Sequence, residues 1–589
     1  MDDERPWWRE PVIHRRSADW RDGNGQSRRG EWWRNAIIYQ ISPWSFQDTQ
    51  GTGTGDLEGI IQRLDYIHSL EVDAIWLTPV NASPMDDLGY DVTSLREIGH
   101  AFGDIGQFDR LLALAHQRGL KVLMDGVWNH TSDRHPWFAD SRSGRDGPYA
   151  HWYIWADPAP GGGPPNNWRS AFNGKSGWRF VKERRQYYWF SFLPSQPDLN
   201  WNHAPVRDAI LQHMRFWLDR GVDGFRVDAA NFFAKDPQLR DNPRRRRRDG
   251  RPDGIAMSNP MAEQLLVNSF NRPETLDYLP PLRRLVDQYP GAVLLGEVTL
   301  CEDSVALAAS YTQGPERLHL AYHSGLLFDE ALTAQRLRAL IRRVCEHYGR
   351  SGICWMAGNH DYGRLRSRWG GGRGRAEDYH RLVAALLISL PGALCLWQGD
   401  ELGLPEARIP RDIPRKAMKD PFGKLLYPKV PGRDGARTPM PWDDRLAHAG
   451  FSAVEPWLPV PESHLRRSVH RQTGDPASSL NHWRRLLRWR RHQPALTAGT
   501  AELLPLRAPL LGLVREYAEQ RLLCVFNLSA HEVRSKLPGI DFVRPACGLD
   551  MPGRYDGLTL TLPAWGFFFA DLRSAAQMRE IALDGGQAR

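Results

Sequence analysis

One pattern constrains this chain more than any other. Short apolar runs recur along it, each followed by a loop and a helix-patterned segment. They are Ala36–Gln40, Asp73–Leu77, Lys121–Asp125, Asp223–Val227, Ala292–Gly296, Gly352–Met356 and Gly392–Trp397, with a weaker eighth near His319–His323. Runs that are apolar at every residue are buried on both faces, as in a parallel sheet covered by helices. Between them, Leu57–Leu70, Phe108–Arg118, a segment ending at Phe216–Arg220, and Leu282–Gln288 have the spacing of amphipathic helices. Eight such units predict an α/β fold, a (β/α)8 barrel of the TIM type, not an open doubly wound sheet.

Two intervals interrupt the rhythm. Residues 131–200, rich in Trp, Tyr, Gly and Pro, follow the third strand. That is too long for a plain loop and predicts an inserted subdomain. Residues 234–280, after the fourth strand, form a second excursion that carries the run Arg244–Arg248. The barrel is expected over 32–130 and 201–500, closed by a helix near Leu480–Arg491. From 501 to 589 short alternating strands (Leu511–Tyr517, Arg521–Asn527, Leu558–Leu562, Gly566–Leu572) predict a C-terminal antiparallel β-sandwich domain. Residues 1–31 are polar and Arg-rich and read as an N-terminal extension.

Composition narrows the classes of function. Hydrophobic residues make up 41% and charged residues 25% of the 589, which fits a globular chain and excludes a disordered or collagenous one. No stretch approaches about 18 consecutive apolar residues, so no membrane-spanning helix is expected. The first twenty residues lack an apolar signal core, which makes the cytoplasm the expected compartment. The six cysteines contain no C-x-x-C pair and read as reduced side chains. The net charge of +8 and the Arg run raise nucleic-acid binding as an alternative. Acids are spread among the bases, however, and the run sits among Pro and Gly, as a solvated loop does. The 24 Trp offer flat apolar faces of the kind that pack on sugar rings.

In a barrel of this type, chemistry gathers at the carboxyl ends of the strands. Those ends here read Asp125-Gly-Val-Trp-Asn129-His130, Gly224-Phe-Arg226-Val-Asp228, Gly296-Glu297 and Gly358-Asn359-His360-Asp361. Acids from several strands thus converge on one rim. Arg226 and Asp228, two apart on a strand, share a face. A neighbouring guanidinium favours the ionised carboxylate, as a nucleophile requires. Glu297 ends an apolar strand, where desolvation favours the protonated form, as a proton donor requires. The pair fits retaining glycoside hydrolysis, in which the two carboxyls stand roughly 5–5.5 Å apart.

With these residues in place, the chain resembles the α-amylase superfamily, glycoside hydrolase family 13. D-G-V-W-N-H, G-F-R-V-D, G-E-V and N-H-D are similar to its four ordered signature segments. Within it the chain resembles the bacterial α-glucosidase and oligo-1,6-glucosidase branch. That likeness is carried by W-W-R-N-A-I-I-Y-Q at 32–40, P-N-N-W at 165–168, Q-P-D-L-N at 196–200 and R-T-P-M-P-W at 437–442. L-R-D-N-P at 239–243 and N-R-P-E at 271–274 resemble enzymes of that branch that also transfer glucosyl groups. The resemblance implies Asp228 as nucleophile, Glu297 as acid/base and Asp361 as transition-state stabiliser. It implies His130, Arg226 and His360 as contacts to the glucose. It places Asp87, Tyr90 and Arg433 at the floor of an exo-acting pocket, with Phe172, Phe192 and Gln196 lining it.

Ala229, after the nucleophile, is similar to the small residue that goes with α-1,4 linkages, where Val goes with α-1,6. One methyl-scale change shifts such a preference by about 1–3 kcal/mol. Relatives carry D-x-N-x-D-x-x-x-D where this chain has Asp48 to Asp56, and bind Ca²⁺ or Mg²⁺ there. Gln50 and Thr52 replace the Asn and the middle Asp. A weakened or empty site is therefore expected at Asp48 and Asp56, with a hydrogen-bonded Gly-rich turn as the alternative and no cofactor required. The expected substrates are small maltose-like α-glucosides, acted on by a monomer or homodimer that engages neither nucleic acid nor membrane. The rivals are a trehalose- or sucrose-isomerase type of enzyme and a non-catalytic scaffold relative.

Overall fold

The computed structural model describes residues 31–327, 331–349, 351–369, 376–410, 412–415, 417–426, 432–537 and 543–572. The expected extension therefore lies, but for residue 31, outside the described residues. Eight parallel strands build the central sheet: β1 (Ile37–Ile41), β2 (Ala74–Leu77), β3 (Lys121–Gly126), β4 (Gly224–Val227), β5 (Val293–Val298), β6 (Leu320–His323), β7 (Cys354–Met356) and β8 (Ala393–Trp397). All eight expected strands are present, including the weak sixth. Their order runs β6-β5-β4-β3-β2-β1-β8-β7, and a parallel bridge between Ala321 and Ile353 closes the ring. The closing seam depends on Gly352. A Cβ there would lie 1.7 Å from the His319 carbonyl oxygen, so only glycine lets the two strands meet.

Alternation along each strand sorts side chains into two layers. Ile38, Ala74, Trp76, Leu123, Val293, Leu295, Leu320, Tyr322, Cys354 and Cys395 pack inside the ring. Their neighbours Ile37, Tyr39, Ile75, Leu77, Val122, Phe225, Val227 and Leu294 pack outward against the helices. This double burial is why the strands read as continuous apolar runs. It also decides the rim. Extending the inward set to the carboxyl ends brings Gln40, Trp76, Asp125, Arg226, Glu297 and Tyr322 onto one inner face.

The helices differ from their expected bounds in three places, one of them the helix expected from Phe108, which begins at Ile105. The segment Leu57–Leu70 is two helices, Leu57–Gln62 and Leu64–Ser69, broken at Arg63. The helix expected at Leu282 begins at Thr275 and contains Pro280 and Pro281, so the second excursion ends earlier than the prolines suggested.

Within residues 131–200, Trp155–Ala156, Trp178–Val181 and Gln186–Trp189 form a three-stranded antiparallel sheet with Trp168, Trp178 and Trp189 in its core. P-N-N-W and L-R-D-N-P, far apart in sequence, hydrogen-bond to each other. Asn166 Nδ2 donates to the Leu239 carbonyl (2.9 Å), Asn167 Nδ2 to the Asn242 carbonyl (2.9 Å) and Trp168 Nε1 to the Arg240 carbonyl (2.8 Å). The insert and the second excursion therefore make one wall beside the rim. After the helix Ser479–Arg491, a five-stranded and a three-stranded antiparallel sheet complete the fold. All six cysteines are free thiols.

Candidate active site

Arg226 is the hub of the rim. It is fully buried, and its Nη1 donates to Asp125 Oδ1 (2.8 Å) and Asp228 Oδ1 (2.6 Å). Its Nη2 donates to Glu297 Oε2 and to the Tyr322 hydroxyl, the latter at 2.7 Å. One guanidinium fork thus holds the nucleophile and acid/base candidates side by side. The Ala229 N–H also donates to Glu297 Oε2 (3.1 Å), from a left-handed backbone at φ 44°. Among the described residues, Asp228 Oδ2 and Glu297 Oε1 accept no hydrogen bond. Each carboxyl has one anchored oxygen and one left for a ligand.

The electrostatics correct one sequence expectation. Arg226 pulls the Asp228 carboxyl down, but burial and the charges of Glu297, Asp125 and Asp361 outweigh it, so the group stands well above the usual carboxylate range. One cation cannot neutralise so many acids in a dry site. Asp125 is likewise pushed up by burial, to about 6, against Arg226, Tyr90 and Trp76.

Asp361 behaves in the opposite way. Burial works against its charge, but His360, Arg433 and Arg437 more than offset this and hold the carboxyl well below its ordinary value. Burial lowers His360 itself to about 3, so near neutral pH the ring is uncharged and the two guanidiniums do the holding. Arg433 Nη1 and Arg437 Nη2 reach Asp361 Oδ1 at 2.6 and 2.9 Å. Gln40 Nε2 lies 2.7 Å from His360 Nδ1, which assigns the ring proton to Nε2, 3.2 Å from Asp361 Oδ2.

The expected pocket floor is also assembled. Arg433 Nη2 donates to Asp87 Oδ1 (3.1 Å) and its Nε to the fully buried Asp420 (2.8 Å). Gln196 Nε2 donates to Asp87 Oδ2 (3.1 Å), while Gln196 Oε1 is buried with no partner. Tyr90 stacks on His360 with ring centroids 5.2 Å apart, and its hydroxyl donates to Asp125 (2.8 Å). His130 Nε2 donates to the Tyr90 carbonyl (2.9 Å), and burial lowers its pKa and keeps it neutral. Phe172 lies under the Arg433 guanidinium at 5.0 Å, and Phe192 packs between Phe172, His130 and Phe232.

Sequence reasoning missed Asp125 as a charge partner, along with Tyr322, Gln40, Arg437 and Asp420. Asp125 and Arg437 stand in quoted motifs, and inward parity of β3 marks the former. Lys235 was missed as well. Its ammonium is buried against Asp198 (2.8 Å), Asn129 Oδ1 (3.2 Å) and the Phe232 carbonyl. It links the barrel to the insert one residue from His130.

In the Asp48–Asp56 loop both carboxylates accept hydrogen bonds. Asp48 accepts from the N–H groups of Gln50, Gly51 and Gly53 and from the Ser452 hydroxyl. Asp56 accepts from Thr49 and caps the helix Leu57–Gln62 through the Gly59 N–H. Arg245 in the basic run is bound by Glu302 and by the carbonyls of Ala262 and Gln264. No helix among the described residues is long and apolar enough to cross a membrane.

A carboxylate pair forked by a buried arginine, with a third acid beside it at the carboxyl rim of a (β/α)8 barrel, defines a glycoside hydrolase site. Residues 40–499 match the model of the α-amylase catalytic domain, and the chain belongs to that family. It is 43% identical to a probable α-glucosidase of Rhizobium meliloti over 92% of this chain and 97% of that one. It is 35% identical to an oligo-1,6-glucosidase of Heyndrickxia coagulans over 86% and 94%. The crystal structure of an α-glucosyl transfer enzyme superposes with a TM-score of 0.88 at 45% identity, covering 92% of this chain and all of that one.

Proposed function

We propose that this chain is a retaining, exo-acting α-glucosidase that releases glucose from the ends of short α-glucosides, with α-1,4 links such as maltose preferred. The observation that carries the reading is the Arg226 fork holding Asp228 and Glu297 beside the Asp87–Arg433–Asp361 floor. Asp228 Oδ2 attacks the anomeric carbon as Glu297 gives its proton to the glycosidic oxygen. The C–O bond breaks, the aglycone leaves as an alcohol, and a glucosyl ester remains on Asp228. Glu297, now a carboxylate, takes a proton from water, whose oxygen displaces Asp228 with net retention. A sugar hydroxyl in place of water gives transglucosylation. Asp361, kept ionised by two arginines, supplies negative charge where the glucosyl ring turns cationic.

Arg433 ties Asp87, Asp361 and Asp420 together beside the carboxylate pair, which supports exo action. Ala229, the small residue after Asp228, supports the α-1,4 preference, although its side chain is packed among Phe232, Met261 and Phe270. Nothing in this chemistry calls for a metal. The test is a panel of maltose, isomaltose, trehalose and sucrose with anomer-resolved product analysis. Glucose released first as the α-anomer, fastest from maltose, supports the reading. Release of β-glucose refutes retention, and isomerised disaccharide as the main product refutes hydrolysis.

A further inference from the structure

Away from the rim, a cavity of about 430 Å³ lies between the barrel and the C-terminal sheets. Its size is in the range of small-ligand clefts. Asp378 and Arg381 reach it from the helix Ala376–Ser389, His482 and Arg485 from the helix Ser479–Arg491, and Asp550 and Trp565 from the C-terminal domain. Backbone carbonyls, not carboxylates, fix the two arginines. Arg381 Nη2 donates to the Ala477 carbonyl, and Arg485 Nη1 to the Pro476 carbonyl at 2.7 Å. Arg381 Nε is buried with no partner. Among the described residues neither guanidinium forms an ion pair, nor does Asp378 or Asp550. Trp565 is half-buried and held at φ 55°, a left-handed conformation uncommon for a non-glycine residue.

Two cations and two anions, none ion-paired among the described residues, line this space, the two carboxylates from exposed residues at its edge. Burial lowers His482 to about 4 and keeps it neutral. No one sign of charge dominates the lining, so nothing in it selects an ion over a neutral ligand. A neutral polyol can use both kinds of group, since its hydroxyls can donate to a carboxylate and accept from a guanidinium, while an indole takes the apolar face of the ring. We propose that this interdomain cavity is a second, non-catalytic binding site for short α-glucosides. It rests on the proposed function only for the choice of sugar.

The test uses full-length Asp228→Asn protein labelled with 5-fluorotryptophan. The fluorine resonance of Trp565 is assigned by its loss in Trp565→Phe, and maltose is titrated in. The proposal expects this resonance to shift with a saturating midpoint. Asp550→Ala and Arg485→Ala, both at polar edges where folding is not at stake, each weaken that midpoint about tenfold as a charge-assisted hydrogen bond is lost. In otherwise native protein the same two substitutions leave turnover of p-nitrophenyl α-glucoside unchanged. A Trp565 resonance that stays still after the rim site saturates overturns the proposal. So does a midpoint indifferent to both substitutions, or displacement of maltose by sulfate, which would mark an anion site. Native protein that hydrolyses no α-glucoside but keeps the saturating shift refutes the proposed function and leaves the second site standing.

Discussion

Arg226→Met and Arg226→Lys separate the charge of the buried guanidinium from its fork. Arg226 Nη1 lies 2.6 Å from Asp228 Oδ1, which places the two charge centres about 4 Å apart. At an effective dielectric of about 20, unit charges at that distance interact by about 4 kcal/mol. One pKa unit corresponds to 1.36 kcal/mol, so removing the cation raises the Asp228 carboxyl by about 3 units. Lys keeps the charge but cannot serve both Asp228 and Glu297 from one rigid fork, and a rise of about 1 unit is expected. In the proposed mechanism Asp228 attacks as a carboxylate, so activity is lost as pH falls through its pKa. A raised pKa therefore moves the acidic limb of the kcat/KM profile to higher pH, by about 1 unit in Arg226→Lys and about 3 in Arg226→Met. The assay is hydrolysis of p-nitrophenyl α-glucoside across pH, with circular dichroism to confirm folding. A folded variant whose acidic limb stays at the wild-type pH would refute the assignment of Arg226 as the main counter-charge of Asp228.

Other substitutions test separate parts of the site. Because the folded-state pKa of Asp228 is raised, its charge destabilises the fold above the unfolded carboxyl pKa, and protonation relieves this as pH falls. Asp228→Asn is expected to raise the melting temperature, more at pH 8 than at pH 5, and an equal or opposite change would contradict the crowding argument. Lys235→Met leaves Asp198, whose side chain is 0% exposed, without its cation, and is expected to cost about 3–5 kcal/mol in urea unfolding. A loss under about 1 kcal/mol would show that Asp198 is satisfied by its neutral donors alone. At the Asp48 loop, neither Ca²⁺ nor a chelator should move the melting temperature, while Ser452→Ala should lower stability by about 1 kcal/mol. A chelator-induced drop would restore a metal to that loop.

Most of the barrel was legible in the sequence because double burial writes each strand as an unbroken apolar run. Even the weak sixth strand, Leu320–His323, stands where the rhythm placed it. The helix Thr275–Val286 was misjudged at its start because Pro280 and Pro281 look like a boundary, although packing keeps them within it. The three acids were legible because short motifs at strand ends share one rim. The Arg433–Asp87 contact, 346 residues apart, was reached through resemblance, since no local pattern encodes a meeting at that separation. The direction of the Asp228 shift was not legible. A single Arg226–Asp228 pair predicts a lowered carboxyl, and the reversal depends on how many other acids the fold packs around it. Lys235 was invisible for the same reason, its partner lying in a different subdomain.

Mass-spectrometric mapping of the protein after treatment with 5-fluoro-α-glucosyl fluoride tests the nucleophile directly. The geometry predicts one sugar adduct, on the peptide carrying Asp228, absent in Asp228→Asn. An adduct on any other residue, or turnover retained in Asp228→Asn, would contradict the central claim.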